Sequence, residues 1–286
     1  MENLTTKKMW IVGVSGQIGA ALAELLTEKG ISFTGTGQAE VDVTNAGQVM
    51  AFAQENKPEI IFNCTGMTDV ELCERRRDEA FKVNALGARN LSMVAAQLGA
   101  VLVQISTDDV FAGAGQEELT EFDATMPRSV YGKSKLAGET FVRDMAPKFL
   151  IVRSSWVYGK GDNFIERVLK MAGEHSHLKI SNTQFASPTS ASEIAKTIWR
   201  LLEAGAYGTF HITCRGYCSR YEFAQEILKL AGKKVDLQPV FMESMDAMMR
   251  PAYSVLDNMM LRISGIEQPK FWKDALKEYM EARGQA

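Results

Sequence analysis

Thiol and imidazole are scarce in this chain of 286 residues, which carries four cysteines and three histidines. Cys64, Cys73, Cys214 and Cys218 form no CxxC pair, and their spacing suits no zinc site. They read as free thiols of a reducing compartment. A basic stripe is also missing. The net charge is −3, and the densest positive run, Arg75 to Arg77, is followed at once by Asp78 and Glu79. That balance speaks against a nucleic-acid partner. Long apolar runs are missing too, since no stretch nears the ~20 apolar residues of a membrane span. Lys7 and Lys8 ahead of an apolar run, with Ala21-Leu22-Ala23 behind it, imitate a signal peptide. Gly13, Ser15, Gly16, Gln17 and Gly19 interrupt that run at regular spacing, as a strand–turn–helix unit does. The expectation is a soluble cytoplasmic protein with no membrane association.

What is present is an ordinary globular mixture, 46% hydrophobic and 23% charged, enough to fill a large core in one domain or two. Apolar strand-like runs at 9–14, 32–37, 59–66, 100–107 and 149–159 alternate with helical spacing at 18–30, 45–57, 79–99 and 134–145. Such alternation predicts an α/β fold: a Rossmann-type, doubly wound parallel sheet covered on both faces. The later chain is looser, with helices expected near 163–172, 191–204 and 220–231 and a strand at 208–213. There is no internal repeat or low-complexity tract. The fifteen methionines, several of them in 241–260, read as adaptable core filler, with a Met-lined partner surface as the other reading.

Gly13, Gly16 and Gly19 fall three apart where the first strand turns into the first helix. A parallel sheet offers ligands the carboxyl ends of its strands, and glycines there let a diphosphate approach a helix N-terminus. The acid that usually holds an adenosine ribose is absent from the tip of the second strand, "GTGQAE", so neither NAD nor NADP is favoured. "VDVTN" follows. There Asp42, beside Val43, could reach the adenine, cap a helix, or do both.

Further on, "SVYGKSKLAGE" places Tyr131 four residues before Lys135, on one helix face. A phenol titrates near 10 and exchanges protons slowly at neutral pH. A lysine beside it would lower that value, and could also hold a ribose. Thr107, closing "VQIST", stands at a strand end able to supply a second hydroxyl to a carbonyl oxygen.

Taken in order, "GQIG", "EVDVTN", "KPEIIFNCTGMTDVELCE", "VNALGARNL", "ISTDDVFAG", "YGKSKLAGE", "RSSWVYGKGDNF", "QFASPTSASEIA", "GTFHITCRGYCSRYEFA" and "RPAYSVLDN" span nearly the whole chain. In them the chain resembles the dTDP-4-dehydrorhamnose reductase family of extended short-chain dehydrogenase/reductases. The resemblance implies reduction of the 4-keto group of dTDP-4-dehydro-L-rhamnose by NADPH or NADH. The product would be dTDP-L-rhamnose, a precursor of cell-wall polysaccharide. It implies a cofactor domain over 1–153 and a substrate lobe over most of 154–286, with about 191–213 returning to the sheet. It also implies Tyr131 as proton donor, Lys135 as its partner and Thr107 as the carbonyl-polarising hydroxyl. Gly13, Gln17 and Ile18 would lie on the dinucleotide turn, and Cys64, Thr65 and Gly66 along the cofactor. Asp108, Trp156, Asn163 and Arg250 would face the sugar nucleotide, and the family expectation extends to a homodimer.

Several positions depart from the family pattern. "STDYVFDG" is here "STDDVFAG", so Asp109 replaces a tyrosine near the sugar and Ala112 an aspartate. Leu72 stands where a lysine is common. Ala21 stands where some members carry a metal-binding glutamate, so no metal is expected. The machinery for proton and hydride is intact and the sugar is the open question. Two other readings stay open. One is a non-catalytic NADP-binding subunit resembling the regulatory β subunit of methionine adenosyltransferase. The other is a reductase, epimerase or dehydratase of another nucleotide sugar.

Overall fold

The structure, a computed structural model, describes residues 4–113, 115–241 and 250–284. The first half runs β1 (Met9–Val12), α1 (Gln17–Glu28), β2 (Phe33–Thr36), α2 (Ala46–Asn56) and β3 (Ile60–Asn63). After α3 (Val70–Arg75) and α4 (Arg77–Phe81) come a π-helical turn (Lys82–Leu86), α5 (Gly87–Leu98), β4 (Val101–Thr107), α6 (Val130–Met145) and β5 (Lys148–Ser154). The chain then leaves the sheet through β6 (Val157–Tyr158), α7 (Phe164–Glu174), β7 (His177–Ser181), β8 (Phe185–Ala186) and β9 (Thr189–Ser190). It returns with α8 (Ala191–Ala204) and β10 (Gly208–His211). Last come β11 (Cys218–Ser219), α9 (Arg220–Leu230), β12 (Asp236–Val240), α10 (Met259–Ile263) and α11 (Trp272–Gly284).

Six strands form one parallel sheet in the order β10-β5-β4-β3-β1-β2. Strand alternation sorts the core. Met9 and Ile11 face α1 and α8, while Trp10 and Val12 face α2 and α5. Each fully buried residue of this kind contributes roughly 1.5–3 kcal/mol. Trp10 keeps its indole N–H satisfied by the Thr36 hydroxyl at 2.9 Å. From β1 the chain crosses one way to β2 and the other way to β3, and that reversal opens a crevice beyond the strand ends. A separate core, built on Phe223, Trp272, Ile165 and Ile227, unites α7, α9 and α11. The parallel pair β7–β12 lies alongside it.

Three elements differ from the sequence expectation. The helix expected over 79–99 is broken by the π-helical turn, whose Asn84 side chain is buried and bonds both the Met67 backbone and Ser134. The strand expected over 149–159 stops at Ser154, because Trp156 takes a left-handed φ of 42° before β6 resumes. The helix expected from 134 begins at Val130, capped by the Ser129 hydroxyl. Of the Met-rich segment, residues 242–249 lie outside the described residues.

α6 is fastened to the sheet by a buried ion pair. Glu139 is fully buried and takes two hydrogen bonds from Arg153, at 2.9 and 2.8 Å. The Ser106 hydroxyl donates to it at 2.6 Å and Arg143 at 3.0 Å. Burial alone would raise this carboxyl, but Arg153, Ser106 and Arg143 together hold it below its ordinary value. A carboxyl whose folded pKa is depressed stabilises the fold above its unfolded pKa, and that contribution is lost as pH falls through the folded value. Removing one partner strands the other charge in the core. Glu139→Ala should therefore cost about 3–5 kcal/mol in urea unfolding at neutral pH. The gap to wild type should narrow in acid, and a gap unchanged by acid would contradict this account.

Candidate active site

The dinucleotide turn is built by close approach. Gly13 has φ 81°, and a Cβ there would stand 3.0 Å from backbone atoms of Cys64 and Thr65. A Cβ at Gly19 would stand 2.2 Å from the Gly13 carbonyl. Only glycine lets the end of β1, the start of α1 and the end of β3 close together. Gly16 enters α1 without a side-chain cap, which leaves the first amides of the helix available to an anion. Ile18, in the first turn of α1, is buried, and the Gln17 amide donates to the Asp162 carbonyl at 2.9 Å, tying the turn to the far lobe. Along the β3 end, Thr65 donates to Asn63, and Gly66 passes close to the Asn84 amide and the Lys135 ammonium. Burial pushes the Cys64 thiol up to about 12, so it is inert.

Asp42 and Val43 need separate comment. Asp42 accepts from the Thr44 amide, while the cap of α2 is Asn45, whose side chain accepts from the Gln48 amide at 3.1 Å. The capping role expected for Asp42 thus belongs to Asn45, which stands directly before the helix. Val43 is buried against α5, and its carbonyl accepts from Asn90.

The residues expected to react lie where β4 ends. The Thr107 hydroxyl donates to Asp108 at 3.1 Å and accepts from the Asp109 amide at 3.2 Å. It is also near enough to the Tyr131 phenol to act on it, lowering its pKa. Asp108 is buried, with its other oxygen taken by Ser155 and Ser254 at 2.9 and 2.5 Å. Burial raises its carboxyl and these hydroxyls oppose the rise. Gly132 brings α6 up to this turn, since a Cβ there would sit 2.1 Å from the Asp109 carbonyl. Gly138 does the same at the π-helical turn, 2.4 Å from the Asn84 carbonyl.

The charges differ from the sequence expectation. Burial first, then Asp109 and Asp108, push the Tyr131 phenol well above its ordinary value, against the hydrogen bond with Thr107. Lys135 does not act as the expected lowering influence. Its ammonium donates to the Ile105 carbonyl at 2.5 Å, and burial pulls it down to about 8.

Near Asp109, charge and aromatic rings come together. Burial and Asp108 raise the Asp109 carboxyl to about 7, with Arg250 and Arg220 opposing. Arg220 lies 3.6 Å from the centre of the Trp156 ring and 4.8 Å from that of Phe164. Burial, with Arg250 adding to it, pulls Arg220 down to about 9. Arg220 was not legible as a site residue. The signal for its position was the capping box of Ser219 and Glu222, which makes Arg220 the first residue of α9. Asn163 stands apart. Its amide nitrogen donates to Gly159, Gly161 and Tyr279, and its oxygen caps α7. It shapes the loop rather than presenting a free group to a sugar.

The chain is similar to known proteins along nearly its whole length. The family model described as RmlD substrate binding domain matches residues 7–284. The spore coat polysaccharide biosynthesis protein SpsK of Bacillus subtilis is 34% identical, over 98% of this chain and 99% of its own. A dTDP-4-dehydrorhamnose reductase structure from Clostridium acetobutylicum is 41% identical with a TM-score of 0.95, covering 97% of this chain and 99% of that one. One from Bacillus anthracis, in complex with NADP, is 37% identical with a TM-score of 0.93 and the same coverage, 97% and 99%.

A methyl group at Gly132 has to displace either Asp109 or the first turn of α6. Gly132→Ala should lower carbonyl turnover about a hundredfold, as an ångström-scale misplacement of a reacting group does. Full activity in that variant would show that the contact is not what sets the position of Tyr131.

Proposed function

The chain belongs to the dTDP-4-dehydrorhamnose reductase family of extended short-chain dehydrogenase/reductases, and from that premise we propose that it reduces the 4-keto group of dTDP-4-dehydro-L-rhamnose with NADPH or NADH. The observation that carries the reading is that close packing at Gly132 brings Tyr131, on the first turn of α6, to the end of β4 where Thr107 stands. That strand end lies next to a glycine turn open to a dinucleotide.

The residues fit the cofactor. The turn from Gly13 to Gly19 and the uncapped start of α1 suit its diphosphate. Gly66 and Lys135 lie together on the side where a ribose hydroxyl would meet an ammonium donor. When bound, the nicotinamide supplies the hydride. Tyr131 then gives its phenolic proton to the developing alkoxide. A phenol kept neutral by burial and by Asp109 holds that proton until a stronger base forms beside it. Thr107, whose hydroxyl can rotate away from Asp108, steadies the same oxygen. Asp108, held by two serines, fixes the direction from which Thr107 acts. Arg220 and Arg250 supply positive charge for the nucleotide diphosphate, and Trp156 supplies an aromatic wall.

The test is consumption of reduced nicotinamide with dTDP-4-dehydrorhamnose, followed by absorbance with NADH and with NADPH. Tyr131→Phe should lower kcat by about 10²–10⁴-fold, while quenching of protein fluorescence still reports cofactor binding. An unimpaired Tyr131→Phe enzyme would remove the tyrosine from the mechanism. No consumption by wild type with either coenzyme would remove the substrate.

A further inference from the structure

Asp109 is a buried acid whose only part in the scheme above is to help keep the neighbouring phenol neutral. Its backbone is pinned on both sides: the amide donates to Thr107 at 3.2 Å, and the carbonyl lies against Gly132 at the start of α6. Its side chain is only 7% exposed. Asp108, next to it, has both oxygens occupied by hydroxyls. Among the described residues, no hydrogen bond or ion pair reaches the Asp109 carboxylate. Arg250 and Arg220 are near enough to act on its charge, and Tyr131 near enough to feel it. A carboxylate with no partner among the described residues therefore sits on a backbone bonded to the Thr107 hydroxyl and packed against the first turn of α6, near enough to Tyr131 to act on its phenol.

This set has a chemistry of its own. A carbon next to a ketone is acidic when its carbonyl oxygen accepts hydrogen bonds, because the enolate charge forms on that oxygen. A base works best when its pKa lies near the working pH, and burial with Asp108 brings this carboxyl to about 7. The neighbouring phenol stays protonated and can donate to an enolate oxygen. A 4-keto sugar offers hydrogens at C3 and C5, both adjacent to the keto carbon.

Resting on the proposed 4-keto sugar substrate, we propose that Asp109 is a general base which removes and returns a hydrogen α to the keto group, a second activity of the same site that consumes no reduced cofactor. The C–H bond breaks, the proton passes to Asp109, and its electron pair becomes the carbon–carbon double bond of the enolate. The oxygen charge is held by Tyr131 and Thr107. In deuterated water Asp109 exchanges its proton for a deuteron and delivers it to the same face. The sugar keeps its configuration and gains deuterium. No oxidant or reductant is required.

The experiment incubates the full-length enzyme with oxidised NADP and dTDP-4-dehydrorhamnose in deuterated water. The ketone is then reduced chemically with borohydride, and the mass of the sugar nucleotide is compared with an enzyme-free control. The same preparation is assayed in parallel for consumption of reduced nicotinamide. Wild type should incorporate deuterium at least about tenfold faster than the control, and Asp109→Asn should fall to about the control rate. Asp109→Glu, which keeps the carboxylate, should retain part of it even if the asparagine variant folds poorly. The ratio of exchange to hydride transfer should fall in Asp109→Asn, which a purely structural role would not produce. Reduction without enzyme-dependent exchange would overturn the proposal and leave the reductase reading standing. Exchange that survives in Asp109→Asn would overturn the assignment to this residue. Absence of both reduction and exchange would overturn both.

Discussion

Everything at this site depends on how closely α6 approaches the end of β4. A helix axis ordinarily stands off a neighbouring strand end by the width of its side chains. Here two glycines remove those side chains where backbone meets backbone, at Gly132 against Asp109 and Gly138 against Asn84. Glu139 and Arg153 then lock the helix to the sheet from the next turn. Lys135, between these anchors, reaches the Ile105 carbonyl. Tyr131 needs no anchor of its own. It stands on the first turn of a helix fixed at three levels, near enough to Thr107 for that hydroxyl to act on its phenol.

The same closeness sets the electrostatics. Asp108, Asp109, Lys135 and Arg220 are all shifted toward their neutral forms, and burial is the first cause in each case. Glu139 is the exception, because Arg153 meets it with paired hydrogen bonds. One buried carboxylate thus holds the architecture, and two others follow the end of β4. The division follows the availability of partners: Glu139 has arginine, Asp108 has hydroxyls, and Asp109 has neither in contact. Groups left near neutrality in a cleft are the ones able to exchange protons.

Much of this was legible in the chain itself. The strand–helix alternation gave the parallel sheet, because each unit carries its own period and its own turn. Tyr131 and Lys135 were legible because helical spacing is local. What escaped depended on contacts distant in sequence. Nothing in "SRYEFA" says that Arg220 will stack on Trp156, sixty-four residues before it. The amide of Asn163 reads as a ligand contact until Tyr279 and the α7 cap claim it. Phenol and ammonium share a helix face in the sequence. The Ile105 carbonyl, which draws Lys135 toward the sheet, belongs to another element. The left-handed turn at Trp156 is invisible to propensity, since few non-glycine residues adopt it.

The measurement closest to the central claim follows the hydride itself. Nicotinamide cofactor deuterated at its transferring position is mixed with the enzyme and dTDP-4-dehydrorhamnose in ordinary water, and the sugar product is read by proton NMR. The expected result is deuterium at C4 of the sugar and at no other carbon. An unlabelled product, or no product while the cofactor remains bound, would contradict the assignment of this site to carbonyl reduction.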